Sequence, residues 1–397
     1  MQTIYKYKEM FGFRNVRILT FVTFFYSLTF YTTIYTLFLK ERGLSYFEIF
    51  LLESFLSAAI FIFEIPSGKL ADKVGRKKLV TFSVFLYTIS SFILAFSHHY
   101  FWFVVESILY GIGIAAMSGA DSALIYDDLK REKKEKSADY AFSLTGAAVT
   151  AAMIVSLPVG GWLAEYSLEL PLYVTCISLV IACALTFQLT EVEEVVNNAQ
   201  KAKTTILSVF RQYPTLLLLQ GVQSFSFGVV FSLVYLNQPL FIDYEIDIKY
   251  FGIIMLVVNG FTTVGLVCVP ALREKLGQSV VLIVSTALPG VLLVSLSFFP
   301  PVTIGIIMFG FIQVFHSMKE PVYRSLINER ISDENRATVL SIISFVGGII
   351  GMIVKPLIGL LTDFSLYTTF MVLGIGMILA SGLTGIIITK VKEEVQA

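Results

Sequence analysis

Charge, cysteine and histidine are all scarce in this chain, and each scarcity rules something out. Only 15% of its 397 residues are charged, against about a quarter in an ordinary soluble domain, while 56% are hydrophobic. Such a chain has too little polar surface to hide its apolar residues from water. Its three cysteines, Cys176, Cys183 and Cys268, are odd in number and lie inside apolar runs, which excludes a disulfide framework or a cysteine metal cluster. The three histidines never form His-Glu-x-x-His, and no glycine-rich loop ends in Gly-Lys-Ser or Gly-Lys-Thr. Zinc-protease and phosphate-cradling motifs are therefore missing. Gly111-x-Gly113-x-x-Ala116 imitates a dinucleotide fingerprint, but it sits within an apolar run with no strand before it. The net charge of zero gives no reason to expect a nucleic-acid partner. Neither a cofactor nor a metal is expected. Met1 to Arg14 is polar and aromatic, and the run that follows lacks a small-residue cleavage pattern, so no removable leader is expected.

What is present is a series of long apolar runs. They fall near 15–39, 46–67, 79–97, 101–126, 139–164, 170–190, 213–242, 250–271, 279–299, 302–323, 338–362 and 367–389. Runs of about 20 residues are the length of membrane-crossing helices, and they do not show the ten-residue alternation of a barrel strand. The expected fold class is thus an all-α integral membrane protein of 12 transmembrane helices. With the N-terminus in the cytoplasm, 24 of the 29 Lys and Arg residues fall on the inner side. The positive-inside rule then puts both termini in the cytoplasm of a multi-pass plasma-membrane protein. Trp102 and Trp162 fall near the outer interface, where indoles prefer to lie.

The longest polar interval between runs divides six from six. The expected organisation is an N-terminal six-helix bundle over 1–190, a cytoplasmic linker over 191–212 and a C-terminal six-helix bundle over 213–397. The halves echo one another. Leu70-Ala71-Asp72-Lys73-Val74-Gly75 follows the second run, and Leu272-Arg273-Glu274-Lys275-Leu276-Gly277 follows the eighth. Gly111 and Asp121 likewise align with Gly310 and Glu320, both at a spacing of 199. Parallel six-helix repeats are a transporter architecture, with the binding site where the repeats meet.

Gly68-Lys69-Leu70-Ala71-Asp72-Lys73-Val74-Gly75-Arg76-Lys77-Lys78, between the second and third runs, resembles the signature loop of the major facilitator superfamily. Together with the run count and the half-repeat, the resemblance covers essentially the whole chain. It implies two pseudo-symmetric six-helix halves and a conformational latch at Gly68, Asp72, Gly75 and Arg76 that favours the outward-open state. Asp72 is placed to cap a helix N-terminus, that of span eleven, and Arg76 to bridge to Asp127 or Asp121 at the inner end of span four. Glu64-Ile65-Pro66-Ser67 and Ser118-Gly119-Ala120-Asp121 look like a prokaryotic multidrug-efflux-like subset. Two features depart from the proton-coupled drug exporters of that superfamily. Glu106 stands where their span-four arginine precedes a glycine, and the span-five signature is reduced to Leu157-Pro158-Val159-Gly160-Gly161.

An ionisable group at mid-bilayer costs about 2.5–3.5 kcal/mol on insertion scales, so each one marks a site or a pair. The proton-coupling candidates are Glu64, Asp121, His316 and Glu320, because a histidine or a desolvated carboxylate can change charge near neutrality. In span ten, Gln313, His316, Glu320 and Arg324 recur at helical spacing with Lys319 beside them, either as a cavity wall or as a salt-bridge cluster with Lys319 or Lys355. Glu106 lies close enough to a helix end to snorkel. Spans one, four, seven and ten line the central cavity in the resembled superfamily. The substrate-cavity candidates are therefore Phe25, Tyr26, Thr29, Met117, Gln220, Gln223, Ser224, Phe227, Gln313 and Lys355, a set that suits an aromatic or amphiphilic solute. Gly347 and Gly351 read as a close-packing helix surface.

The resemblance implies a secondary active transporter, not an enzyme, working by alternating access. The expected activity is efflux of a drug-like or metabolite solute by antiport against protons, from a monomer in the lipid bilayer. Two alternatives stand beside it: a proton-linked importer or facilitator of a native metabolite, and a non-transporting membrane sensor or scaffold.

Overall fold

Hydrocarbon offers no water to unpaired backbone groups, so a segment that crosses it must close its own hydrogen bonds. The computed structural model describes residues 2–191, 211–331 and 336–396, and among them it shows helices and no strand. The proposed linker, 191–212, lies almost wholly outside the described residues. Among the described residues, ten helices are long and apolar enough to cross a membrane, and a pair bent by 55° supplies an eleventh. The sixth apolar run forms a shorter helix of 17 residues. With it, each of the twelve apolar runs contains helix.

Contacts divide the chain into two units. The first comprises Met1–Leu44, Phe55–Asn198 and Ile246–Ile253. Its helices are α1 (Gln2–Gly12), α2 (Arg14–Tyr26), α3 (Tyr35–Glu41), most of α4 (Tyr46–Val74), α5 (Arg76–Phe96), α6 (Tyr100–Met117), α7 (Ala120–Arg131), α8 (Ala138–Ala164) and α9 (Leu170–Thr186). Leu19, Val22, Val84, Leu124, Leu129 and Leu179 anchor its core. Where α2 and α3 should have been one helix, the chain leaves the α conformation after Tyr26 and makes a 3-10 turn over Phe30–Thr33. Gly160 of α8 explains how that turn is accommodated: a Cβ there would collide with the Phe30 carbonyl. Beyond the turn, Arg42 donates to Glu169 Oε1 at 3.1 Å. The Ser167 hydroxyl first, and Arg42 after it, hold the Glu169 carboxyl below the usual carboxylate range.

The second unit comprises Ser45–Ser54, Ala199–Glu245 and Ile254–Ala397. It holds the start of α4, then α10 (Pro214–Asp243), most of α11 (Ile248–Leu276), α12 (Gln278–Leu296), α13 (Val302–Asn328), α14 (Arg336–Phe364) and α15 (Leu366–Gln396). Its core gathers Leu219, Leu282, Val322, Leu326, Val339 and Ile388. Lipid tails are as apolar as leucine, so helices in a membrane gain from close backbone approach rather than from escaping water. Small residues provide it here. A Cβ on Gly290 of α12 would lie 2.7 Å from the Gly374 carbonyl of α15. Gly359 of α14 meets the Tyr46 carbonyl, and the Asp363 carboxylate caps α4 by accepting from the N–H groups of Tyr46 and Phe47 at 2.7 and 2.9 Å. The close-packing surface expected at Gly347 and Gly351 is only half present. Gly347 lies against Gln220 and Ser224, whereas a Cβ on Gly351 would meet nothing within 4 Å among the described residues.

The sequence echo between the halves has a backbone counterpart. Gly75 opens α5 with φ 98° and ψ 148°, and Gly277 opens α12 with φ 79° and ψ 154°. That corner of backbone space is essentially closed to residues with a Cβ. Both turns need glycine. Gly277→Ala is expected to cost about 1–3 kcal/mol from backbone strain alone, since nothing lies within 4 Å of its added methyl. Gly351→Ala, helical and equally uncrowded, should leave the thermal midpoint in detergent unchanged. Equal midpoints for the two variants would refute this account.

Candidate functional site

In the first unit the signature loop lies at the turn from α4 to α5. Gly68 is within the last turns of α4, and the side chain of Asp72 lies outside the described residues. Gly75, at its glycine-only φ, presses against the Glu191 carboxylate. Arg76, the first residue of α5, pairs with Asp127 of α7 and donates to the Ala123 carbonyl at 3.0 Å. Lys77 donates its N–H to Glu191 Oε1 at 3.1 Å and its ammonium to the Phe187 carbonyl at 3.3 Å. The loop is therefore tied to α7 and to the end of α9. Glu191 had no place in the sequence reading, and only its position at the edge of the polar interval hinted at one.

The remaining candidates of this unit scatter. Span four is broken at Ser118–Gly119, Gly119 being left-handed at φ 79°, so Asp121 begins α7 instead of continuing α6. Its Oδ1 accepts from the N–H and hydroxyl of Ser122 at 2.6 and 3.1 Å. Glu64 is exposed on α4, and its backbone carbonyl accepts from the Ser67 hydroxyl at 2.8 Å. Met117 is buried at the end of α6. Phe25 packs edge-on to Phe24, with ring centres 5.4 Å apart. Tyr26 and Thr29 flank the break in span one, Tyr26 lying 5.8 Å from the Tyr87 ring.

The second unit concentrates its polar groups between α10 and α13. Lys319, only 4% exposed, donates to the Ser226 hydroxyl at 2.5 Å. One turn earlier on α13, the His316 ring lies 5.3 Å from that of Phe227, and its Nδ1 is buried with no hydrogen-bond partner among the described residues. One turn later, Tyr323 donates to Gln220 Oε1, while Gln220 Nε2 donates to Ser224 Oγ at 2.8 Å. Gln313 stands further up the same helix, half-buried. The residues at helical spacing along α13 differ in their surroundings. Glu320 is exposed and paired with Arg324 one turn away at 2.5 Å. Gln223 turns from the stripe and donates to Thr384 of α15 at 3.1 Å. Lys355 of α14 approaches Glu53 of α4 at 3.7 Å and lies 4.8 Å over the Phe231 ring. Ser226 and Tyr323 escaped the sequence reading. Their signal was positional, because Tyr323 continues the stripe of His316 and Lys319 at helical spacing.

Twelve apolar segments, two echoing halves, a tied glycine turn and buried polar groups thus coincide in one chain. The profile of the Major Facilitator Superfamily matches residues 18–355. The chain belongs to that superfamily. Its members are transporters rather than enzymes. The quinolone resistance protein NorA of Staphylococcus aureus is 26% identical over 136 residues, 34% of each protein. The match thus spans about a third of the length of this curated relative. Over nearly the whole chain, the fold is similar to that of solved transporters. The nucleoside transporter NupG superposes with a TM-score of 0.74 at 15% identity, covering 94% of this chain and 98% of the other. A D-xylose-proton symporter gives 0.70 at 15% identity, covering 93% and 95%.

The Arg76–Asp127 pair is the most testable contact of the signature loop. Both partners are mostly buried, and single substitutions strand a charge. In a double-mutant cycle of Arg76→Gln and Asp127→Asn, unfolding in detergent should show a coupling energy of about 1–3 kcal/mol. Additive losses would mean that the pair contributes nothing beyond its separate members.

Proposed function

We propose that this protein is a proton-coupled exporter of an aromatic or amphiphilic solute, working by alternating access from the plasma membrane as a monomer with both termini in the cytoplasm. The observation that carries the proposal is the arrangement of Lys319, His316 and Ser226 between α10 and α13. A bundle built only for stability gains nothing from a lysine and a histidine at this depth, because the cost of placing them there is met more cheaply by leucine. Of the four coupling candidates, His316 has the most suitable surroundings: a buried ring nitrogen with no partner among the described residues, a neighbouring lysine and an aromatic wall. Asp121 and Glu320 are engaged with near neighbours, and Glu64 stands on an exposed face. The similarity to NorA, a quinolone resistance protein, supports a quinolone-like aromatic as the solute. The D-xylose-proton symporter supports protons as the coupling ion.

The energetics suffice. A proton crossing about 100 mV releases roughly 2.3 kcal/mol, and each pH unit adds about 1.4 kcal/mol. Together these sustain a solute gradient of a few hundredfold. No hydrolysed fuel is needed. In everted vesicles with an acidic interior, a fluorescent quinolone should accumulate. His316→Gln should reduce that accumulation at least about tenfold, while counterflow exchange without a gradient stays near wild type. Uptake seen only in right-side-out cells would mean import instead, and absence of flux for a broad solute panel would favour a sensor or scaffold.

The signature loop is proposed as the latch of this cycle, with Asp72 as its releasing element. Asp72→Asn should shift the population toward the inward-open state, read as increased labelling of cysteines placed on the cytoplasmic half of α10. Unaltered labelling would remove the latch from the mechanism.

A further inference from the structure

Glu106 does not snorkel. Although it stands only two turns from the start of α6, it is 6% exposed and accepts from the Ser107 hydroxyl at 3.2 Å. Its side chain lines a cavity of about 10 Å³ as traced by the centre of a water-sized sphere, room for one water or one ion of that size. The cavity lies wholly within the first unit. The remaining wall is almost entirely oxygen-bearing. Tyr26 comes from α2, and Thr29 and Tyr31 from the non-helical stretch that follows it. Tyr87, Ser90 and Ser91 come from α5, and Tyr110 completes the face of α6. Leu179 of α9 is the apolar exception, and no basic side chain stands among the described residues of the wall.

A second observation points to the same spot. The α conformation of span one ends at Tyr26, and the stretch that follows carries Thr29 and Tyr31 to the cavity before the 55° bend between Thr33 and Tyr35. Carbonyls at the break find partners within the protein, Thr23 accepting from the Ser27 N–H and Phe25 from the Leu28 N–H and the Ser178 hydroxyl, so what the break offers the cavity is the side-chain hydroxyls of Thr29 and Tyr31. The hydroxyls are prepared in the same sense. The hydrogen of Ser90 is committed to the Tyr87 carbonyl at 3.0 Å, and Ser91 lies 3.2 Å from Cys176 Sγ. Ser90 is thus left with its oxygen as an acceptor. One carboxylate, several hydroxyls and a volume for a single small particle form a hard-oxygen set, the chemistry of a small hard cation.

We propose that Glu106, the α5 hydroxyls and the break in span one form a binding site for one small monovalent cation, either sodium or a proton carried on water. The site deepens the transporter reading by giving the first unit an ion of its own, separate from the polar cluster of the second. The titratable groups that face Glu106 are Tyr26, Tyr31, Tyr87 and Tyr110, with Cys176 behind Ser91.

The test uses the purified full-length protein and needs no solute. Thermal unfolding is followed in sodium, potassium and choline chloride at equal ionic strength over a range of pH, alongside binding of radioactive sodium. Sodium should raise the midpoint saturably where choline does not, and Glu106→Gln should abolish that shift. A midpoint that responds instead to acidification, again only while Glu106 is present, identifies the cation as the proton. A wild-type midpoint indifferent to both, or a response that survives in Glu106→Gln, overturns the site. Should Glu106→Gln fail to fold, Tyr110→Phe and Thr29→Val keep the carboxylate and should each weaken cation affinity about tenfold; unchanged affinity in both counts against the site. Cation binding without flux of any solute would preserve the site and remove only the transport reading.

Discussion

A polar group inside hydrocarbon must find a partner within the protein, and most of what distinguishes this chain follows from that rule. Helices satisfy it for the backbone, which is why almost every described residue is helical. The exceptions carry the information. Span one stops at Tyr26 and span four at Met117. In each, the interruption brings a polar residue to bear. Thr29 and Tyr31 reach the cavity of Glu106, and Asp121 starts a new helix after left-handed Gly119. An uninterrupted rod could have done neither.

The two units answer the same rule with different chemistry. The first surrounds a single acid with hydroxyls and tyrosine rings, an oxygen-rich setting. The second surrounds a lysine and a histidine with serine, glutamine and phenylalanine. Opposite charge characters in two related bundles are what a carrier of separate cargoes would use: a cation in one half, and in the other a group whose charge can vary with the solute. We take that division as the organising idea behind the proposed coupling, with the signature loop serving to time it.

Much of the fold was legible in the sequence because its determinants are one-dimensional. Run length specifies a crossing helix, and the positions of Gly75 and Gly277 specify turns that no other residue enters comfortably. The site was less legible, because helical spacing says which residues share a face but not what that face meets. Gln220 and Gln223 illustrate the limit. They look equivalent in sequence, yet one joins Tyr323 in the polar stripe and the other bonds Thr384 of the final helix. Glu106 is the larger miss. Its depth along the run suggested a side chain reaching for the interface, and only the break in span one, which hydropathy does not register, reveals the hydroxyl-lined recess it enters. Glu320 errs the other way, since its place on the stripe did not disclose that Arg324 holds it on the exposed side.

The paired turns at Gly75 and Gly277 bear on how such a molecule came to exist. If a six-helix ancestor was doubled, its copies were free to exchange acids for amides and hydroxyls for amines, since each swap costs only what its new neighbours impose. The hairpin geometry had no such freedom, because a single added methyl would strain either bend. Chemistry could therefore drift apart in the two descendants while their architecture stayed congruent, and a duplicated scaffold became an asymmetric machine.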